Sequence, residues 1–352
     1  MTLPLVPSWM AGQPLNAWIA IPGTAAAGSA ADPAGSPANQ WSDSNLRLAY
    51  SGLALRGTEL VLAAVGGHSD YSGNEVTSID ISLNAPVWQL RHAKSATATM
   101  DVPYYSDGMP TSRHVYWSSQ WNSARNRVML HNTTFSYGNA VSFPASNGFN
   151  LDTNKWDAAG TWSDGYEALC QDSSGNCWAS SGYFTLMKWT AATDTWAATA
   201  TFNNPVYPNL SFDSLRNQLF QLSWGDGEGS GAGVTAFTYD VSGTIQTAIS
   251  FNASAAYTQF VADAPLLAAM DYDRVNDKFY FYASTSGATD RIYTITPNAG
   301  TVWDMAIVTV TGVIPPLASG AGIMNRLCYV APLTGFVCMP DGISDIIFIR
   351  TA

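Results

Sequence analysis

The stretch that decides the fold runs from Leu60 to Leu90: LVLAAVGGHSDYSGNEVTSIDISLNAPVWQL. An apolar run meets a double glycine and a polar loop. Then come the run VTSIDI, a turn, and a strand carrying Trp88. Short apolar or alternating runs bounded by Gly, Asn, Asp and Pro read as strands. The same order recurs on both sides. Strand, polar tight turn and strand repeat as LAYSGLALRGTELVLAA, YWSSQWNSARNRVMLHN, ALCQDSSGNCWASS, LSFDSLRNQLFQLSW, AMDYDRVNDKFYFYA and CYVAPLTGFVCMP. A third run follows each pair: VTSIDI, NGFNL, TLMKW, VTAFTYD, RIYTIT and DIIFIR. A Trp marks a fourth strand at Trp18, Trp88, Trp156, Trp196 and Trp303, with a missing member near Ile245. No convincing amphipathic helix interrupts the pattern. Self-similarity at a fixed period is the signature of a repeat architecture.

Six copies of a four-stranded repeat predict an all-β, six-bladed β-propeller, with seven blades as the competing count. The last copy runs out of chain after its third strand, while NAWIAIPG near the N-terminus has a fourth-strand look and no blade before it. Laid beside IIFIRTA, it closes the ring, and closure manages the open-edge liability of a sheet. The expectation is one domain over residues 1–352. Residues 1–23 supply the closing strand, 24–45 an Ala/Gly/Ser/Pro-rich surface loop that buries no core, and 46–352 the blades.

Hydrophobic residues make up 47% of the 352 and charged residues 12%, the opposite of a disordered chain's balance. The net charge is −11, and the 15 Lys and Arg form no basic stripe. Nucleic acid is therefore not an expected partner, because its affinity comes largely from neutralised phosphates. No run approaches the ~18 apolar residues of a membrane span, so membrane insertion is not expected. The N-terminal stretch carries no recognisable secretory signal, and the expected location is a virion or the extracellular space. Cys170/Cys177 and Cys328/Cys338 each flank a hairpin turn, which makes them disulfide candidates; four buried thiols are the alternative.

In such a ring, loops between second and third strands emerge on the same face as the connections between blades. That face gathers the ionisable groups. Its candidates are His68, Asp70, Tyr71, Asn74 and Glu75 from GGHSDYSGNE, and Tyr104, Tyr105, Asp107, Arg113 and His114 from YYSDGMPTSRH. His131, Trp224, Asp226, Glu228, Asp290 and Arg291 join them. Function sits preferentially on loops held by a rigid scaffold. Aromatic faces beside Asp, Asn and Arg suit a sugar or protein ligand, and Tyr71, Tyr104, Tyr105, Trp117 and Trp224 are stacking candidates. No cofactor is expected, calcium being the one possible exception. Asp226 and Glu228 are weak candidates for calcium, and His68, His114 and His131 for a transition metal.

GGHSDYSGNEV followed by DGMPTSRHVYW resembles kelch-type and galactose-oxidase-type propellers of bacterial and phage proteins, over about Leu60 to Tyr116. The resemblance implies the propeller fold. It does not extend to copper-radical chemistry, which needs a Tyr crosslinked to Cys, since both cysteine pairs fall on the opposite face. Propeller lyases resembling this pattern use His, Tyr and Arg, so His68, Tyr71, Arg113 and His114 are the catalytic candidates should the face be an enzyme's. Glu75 and Glu228 are the only pair proposed for glycosidase chemistry. The reading that follows leans away from an enzyme. It expects a phage-tail-type or extracellular recognition module that binds a bacterial surface glycan or a receptor protein, and has other tail proteins as further partners. A polysaccharide-lyase-like enzyme and a structural hub of a virion are the alternatives.

Overall fold

A computed structural model describes residues 6–31, 47–48, 50–66, 71–130, 146–159, 161, 167–181, 185–201, 209–224, 234–263, 267–284, 291–318 and 322–352. The chain opens with β1 (Ala17–Ala20) and then lays down four strands at a time. The first unit is β2 (Ala54–Arg56), β3 (Glu59–Ala63), β4 (Val76–Asp80) and β5 (Gln89–His92). The second is β6 (Ser119–Asn122), β7 (Arg127–Leu130), β8 (Asn147–Asn150) and β9 (Lys155–Trp156), and the third β10 (Glu167–Gln171), β11 (Cys177–Ser181), β12 (Thr185–Thr190) and β13 (Thr195–Thr201). Next come β14 (Asn209–Asp213), β15 (Gln218–Trp224), β16 (Val234–Asp240) and β17 (Gln246–Phe251). The helix α1 (Ala255–Asp263) leads to β18 (Ala269–Asp273), β19 (Lys278–Tyr282), β20 (Arg291–Thr296) and β21 (Val302–Thr309). After the short β22 (Thr311–Gly312), the last unit is β23 (Leu327–Val330), β24 (Gly335–Cys338) and β25 (Ile347–Arg350).

Within each unit the strands pair antiparallel in sequence order. The last unit takes its fourth strand from the N-terminus: β1 pairs antiparallel with β25, placing Trp18 opposite Ile349. The units are ring-wise neighbours. The inner strands β2, β6, β10, β14, β18 and β23 contact in that order, and Leu53 N–H donates to Asn325 C=O at 3.3 Å between the first and last units. One core cluster holds Leu60 and Val61 of β3 together with Val337 and Phe348 of the last unit. All six inner strands line a single cavity of about 260 Å³.

Burial explains the residue choices. Second strands lie inside their sheets and are covered on both faces, so β3 (ELVLA) and β24 (GFVC) are buried throughout. The outer β21 starts with strict alternation, Trp303 and Met305 in, Val302 and Asp304 out. The outer-strand Trp fills the gap between neighbouring units. Trp303 lies 4.8 Å from Phe220 and 6.2 Å from Phe279, and Trp18 lies 5.9 Å from Tyr282, ring centroid to centroid.

Three features depart from the sequence reading. The helix α1 was not anticipated, because only Phe260 of its residues is buried and so no apolar stripe exists. Outer strands also pair in parallel across units, β17 with β21 and β1 with β22, so the fourth and fifth units merge into one eight-stranded sheet. The start of the Ala/Gly/Ser/Pro-rich segment is no surface loop, since Ala26 and Ala31 are buried in the core and Thr24 accepts Trp88 Nε1–H at 2.8 Å. Residues 32–45 of that segment lie outside the described residues.

Antiparallel pairing sorts the connections. Turns between first and second strands, and between third and fourth, leave on one face, the turn face. Second-to-third connections and those between units leave on the other, the loop face. The turn face repeats one device. Asn126, Asn154, Asp194, Asn217 and Asp277 all adopt the left-handed conformation (φ 53 to 55°), which Asn and Asp tolerate best among non-glycines. Four residues earlier, an Asp or Asn side chain caps most of these turns. Asp213 Oδ1 accepts from Leu215 and Arg216 N–H at 3.0 Å, and Asn150 Oδ1 from Asp152 and Thr153 N–H at 2.8 and 3.1 Å.

Candidate functional site on the loop face

The loop face of the first two units is built on a buried polar network. Tyr71 hydroxyl donates to Glu75 Oε1 at 2.7 Å, and Arg47 Nε approaches the same oxygen at 3.4 Å. Arg47 Nη1 also donates to Ala31 C=O at 2.7 Å. Burial first, then the Glu75 charge, pushes the Tyr71 phenol well above its ordinary range. A Cβ at Gly73 would lie 2.3 Å from Tyr71 Oη and 2.5 Å from Glu75 Oε2, so a larger residue there would displace the Tyr71–Glu75 pair. Asn74 spans to the next connection, with Nδ2 donating to Ser95 Oγ at 2.9 Å and to Pro110 C=O at 2.8 Å.

Arg113 and His114 are fully buried. Arg113 N–H donates to Ala64 C=O at 3.0 Å, which ties the second unit's entry to the end of β3. Its Nη2 donates to Asn147 Oδ1 at 2.8 Å, and Asn147 Nδ2 reaches Tyr104 Oη at 3.2 Å. Burial lowers the guanidinium pKa to about 10, so it stays charged at neutral pH. The His114 ring lies 4.4 Å from Tyr50 and 5.7 Å from Tyr116. These groups brace the face and do not open onto it. Trp117 is likewise packed, with Nε1 donating to Ala268 C=O at 2.9 Å.

What reaches solvent is a small hairpin. Tyr104 bridges Pro110, Tyr105 N–H donates to Met109 C=O at 2.9 Å, and Gly108 turns the tip at φ +81°. Tyr105 is buried beneath it and donates its hydroxyl to Ser72 C=O at 2.6 Å. Ser106, Asp107 and Gly108 stand exposed, with Asp107 Oδ1 taking Met109 N–H at 3.1 Å. A rigid buried base thus presents a polar tip beside the half-buried Tyr104.

The structure brings together Tyr71, Asn74, Glu75, Tyr104, Tyr105 and Arg113 through the bonds above. His68, Asp70, His131, Asp226, Glu228 and Asp290 lie outside the described residues, as does the Trp224 side chain. Arg291 heads β20 and is bound to Asp263 of α1 at 2.7 Å. Among the described residues no group of three His, Cys, Asp or Glu is arranged to hold a metal ion. Sequence reasoning missed Arg47, Ser95 and Asn147. Only the scarcity of arginines in a weakly charged chain could have singled out Arg47 in NLRLAY.

The four cysteines are free thiols. The strand registers exclude the proposed pairs. Cys170 lies opposite Trp178 while Cys177 lies opposite Gln171, and Cys328 lies opposite Val337 while Cys338 lies opposite Leu327. Residues directly opposite share a face, so the two thiols of each pair point to opposite sides of their sheet. Cys328 packs in the cluster of Val337 and Cys338 in that of Leu327. Burial raises the Cys170, Cys328 and Cys338 pKa values well above the ordinary range.

No protein-family model and no curated protein matches the chain. Solved structures do. The structure of YjhT matches at 10% identity and a TM-score of 0.55, over 88% of this chain and 96% of that one. Looser likenesses are TolB from Acinetobacter baumannii (11% identity, 81% of this chain and 62% of that one, TM-score 0.39) and a nidogen/laminin complex (10%, 74% and 85%, TM-score 0.38). The likeness to YjhT is one of β-propeller-like fold, and this all-β chain has a fold of that kind.

Proposed function

We propose that the chain is a six-bladed, kelch-like propeller acting as a recognition module of a phage tail or another extracellular assembly. It binds a surface glycan or receptor protein through the loop face. The count of six is supported by the six inner strands around one cavity. The observation that carries the binding reading is the Tyr104–Pro110 hairpin. Its tip is exposed and its base is fixed by buried hydrogen bonds, so presenting Tyr104 and Asp107 to a ligand costs little ordering entropy. The lyase-like alternative is less favoured because Tyr71, Arg113 and His114 are buried and engaged in bracing contacts.

The test is a glycan array together with binding to bacterial cells, using the parent chain and Asp107→Ala. We expect binding by the parent and about tenfold or greater weakening in the variant, at an unchanged melting temperature. Equal binding by Asp107→Ala, or no binding by the parent, overturns the reading. Release of unsaturated sugars absorbing in the near ultraviolet would put a lyase in its place.

A further inference from the structure

The cavity enclosed by the inner strands lies apart from the loop-face hairpin and has chemistry of its own. Its wall is mixed: Leu53, Leu55, Trp121, Leu210, Phe212 and Met270 alternate with Ser119, Gln120, Gln171, Ser211, Asp271 and Asn325. Two of the polar groups can take a further donor. Asp271 on β18 accepts from Ser211 hydroxyl at 3.2 Å, from Tyr272 N–H at 2.8 Å and from Tyr329 N–H at 2.8 Å. A carboxylate has about four acceptor sites, so it can take another donor. Gln120 on β6 is only 9% exposed, lines the same cavity, and its Oε1 is buried with no hydrogen-bond partner. A buried amide oxygen left unmatched costs about 1–3 kcal/mol. The lining therefore offers an unmatched amide oxygen and a carboxyl group with room for one more donor, beside apolar side chains.

We propose that this axial cavity binds a short primary alkylammonium ion, with the charged head on the Asp271 carboxylate, an N–H donated to Gln120 Oε1, and the alkyl stem against Leu53, Leu210 and Met270. Three physical points select this class. An unmatched acceptor calls for a donor, and a carboxyl group whose charge is disfavoured by burial gains most from a cation placed beside it. The volume of about 260 Å³ holds far more than one water yet is smaller than the usual drug-sized pocket. A bare metal ion is a poorer fit, since among the described residues no three His, Cys, Asp or Glu converge. The net charge of −11 also raises the local concentration of cations.

Calorimetric titration of the intact chain with ethylammonium chloride, at mildly alkaline pH, tests this. We expect saturable one-site binding. Tetramethylammonium, which has no N–H to donate, should bind at least about tenfold more weakly, as should ethylammonium to Asp271→Asn. Gln120→Met separates binding from folding. It removes an oxygen with no protein partner at similar volume, so the melting temperature should hold while affinity drops about tenfold. The proposal is overturned if the folded parent shows no saturable uptake, if Gln120→Met binds as tightly as the parent, or if sodium acetate is preferred over ethylammonium.

Discussion

The two faces of the ring are held together by different chemistry. On the turn face, neighbouring units are stapled by exposed or half-exposed polar contacts. Arg56 reaches Asp152 at 3.0 Å, Arg125 reaches Asp194 at 2.7 Å, and Lys188 Nζ donates to Val241 C=O at 2.7 Å. Arg216 grips Asp277 with both guanidinium nitrogens at 2.6 and 2.7 Å, and Asn276 donates to Thr351 C=O at 2.9 Å. The belt is completed by Trp9 Nε1, which donates to Ile81 and Leu83 C=O at 3.1 Å. On the loop face, units one and two are braced instead by buried groups: Arg47 with Glu75 in the first, Arg113 with Asn147 in the second, and Asn74 with Pro110 on the connection between them. A solvent-exposed ion pair contributes about 0–1 kcal/mol. Removing one partner of a buried pair costs about 3–5 kcal/mol, because the other charge is left stranded. Substitution should therefore cost less in the turn-face belt than at these loop-face groups.

That contrast can be broken most directly at Glu75. Glu75→Ala strands the Arg47 guanidinium and the Tyr71 hydroxyl, and should lower stability by about 3 kcal/mol in urea denaturation. A loss below about 1 kcal/mol would mean that the loop-face network is no stronger than the turn-face belt.

A smaller effect is expected at Asp277→Asn, under about 1 kcal/mol at neutral pH and shrinking further in salt. This pair also sets a pH dependence. Hydrogen bonds from Arg216 hold the Asp277 carboxyl below its ordinary value of 3.8 despite partial burial. A depressed carboxyl stabilises the fold above the unfolded-state pKa and loses that contribution as pH falls through the folded one. Parent and Asp277→Asn should therefore differ at neutral pH and converge as the pH drops below about 4. A gap that widens on acidification would refute the pairing.

The smallest effect concerns the cysteines. A reductant should leave the melting temperature unchanged, and four thiols should titrate in denaturant without prior reduction. Fewer than four would reinstate a disulfide.

The turn-face repeat was legible because it is local. DSLRN, DRVND, NSARN and NLDTN each encode a capped turn within five residues, and the flanking runs have the period of strands. Trp303 was legible as a fourth-strand marker from its recurrence with Trp18, Trp88, Trp156 and Trp196. The helix α1 escaped because one buried Phe260 makes no periodic signal. The fate of Arg113 and His114 escaped for another reason. Polar residues in a Gly-rich loop look solvent-facing, and nothing in SRHVY tells that Ala64, Asn147 and Tyr50 will surround them.

By itself the sequence determined the strand repeat, the turn chemistry, and the use of the Trp18 segment as fourth strand of the last unit. Each of these follows from contacts between near neighbours or from an unpaired edge at each end of the chain. Only the tertiary structure decided which polar groups became bracing and which became surface, how the cysteines face, and that Asp271 and Gln120 meet one cavity. Those outcomes depend on groups brought together from different units, and no local rule encodes their separation in space.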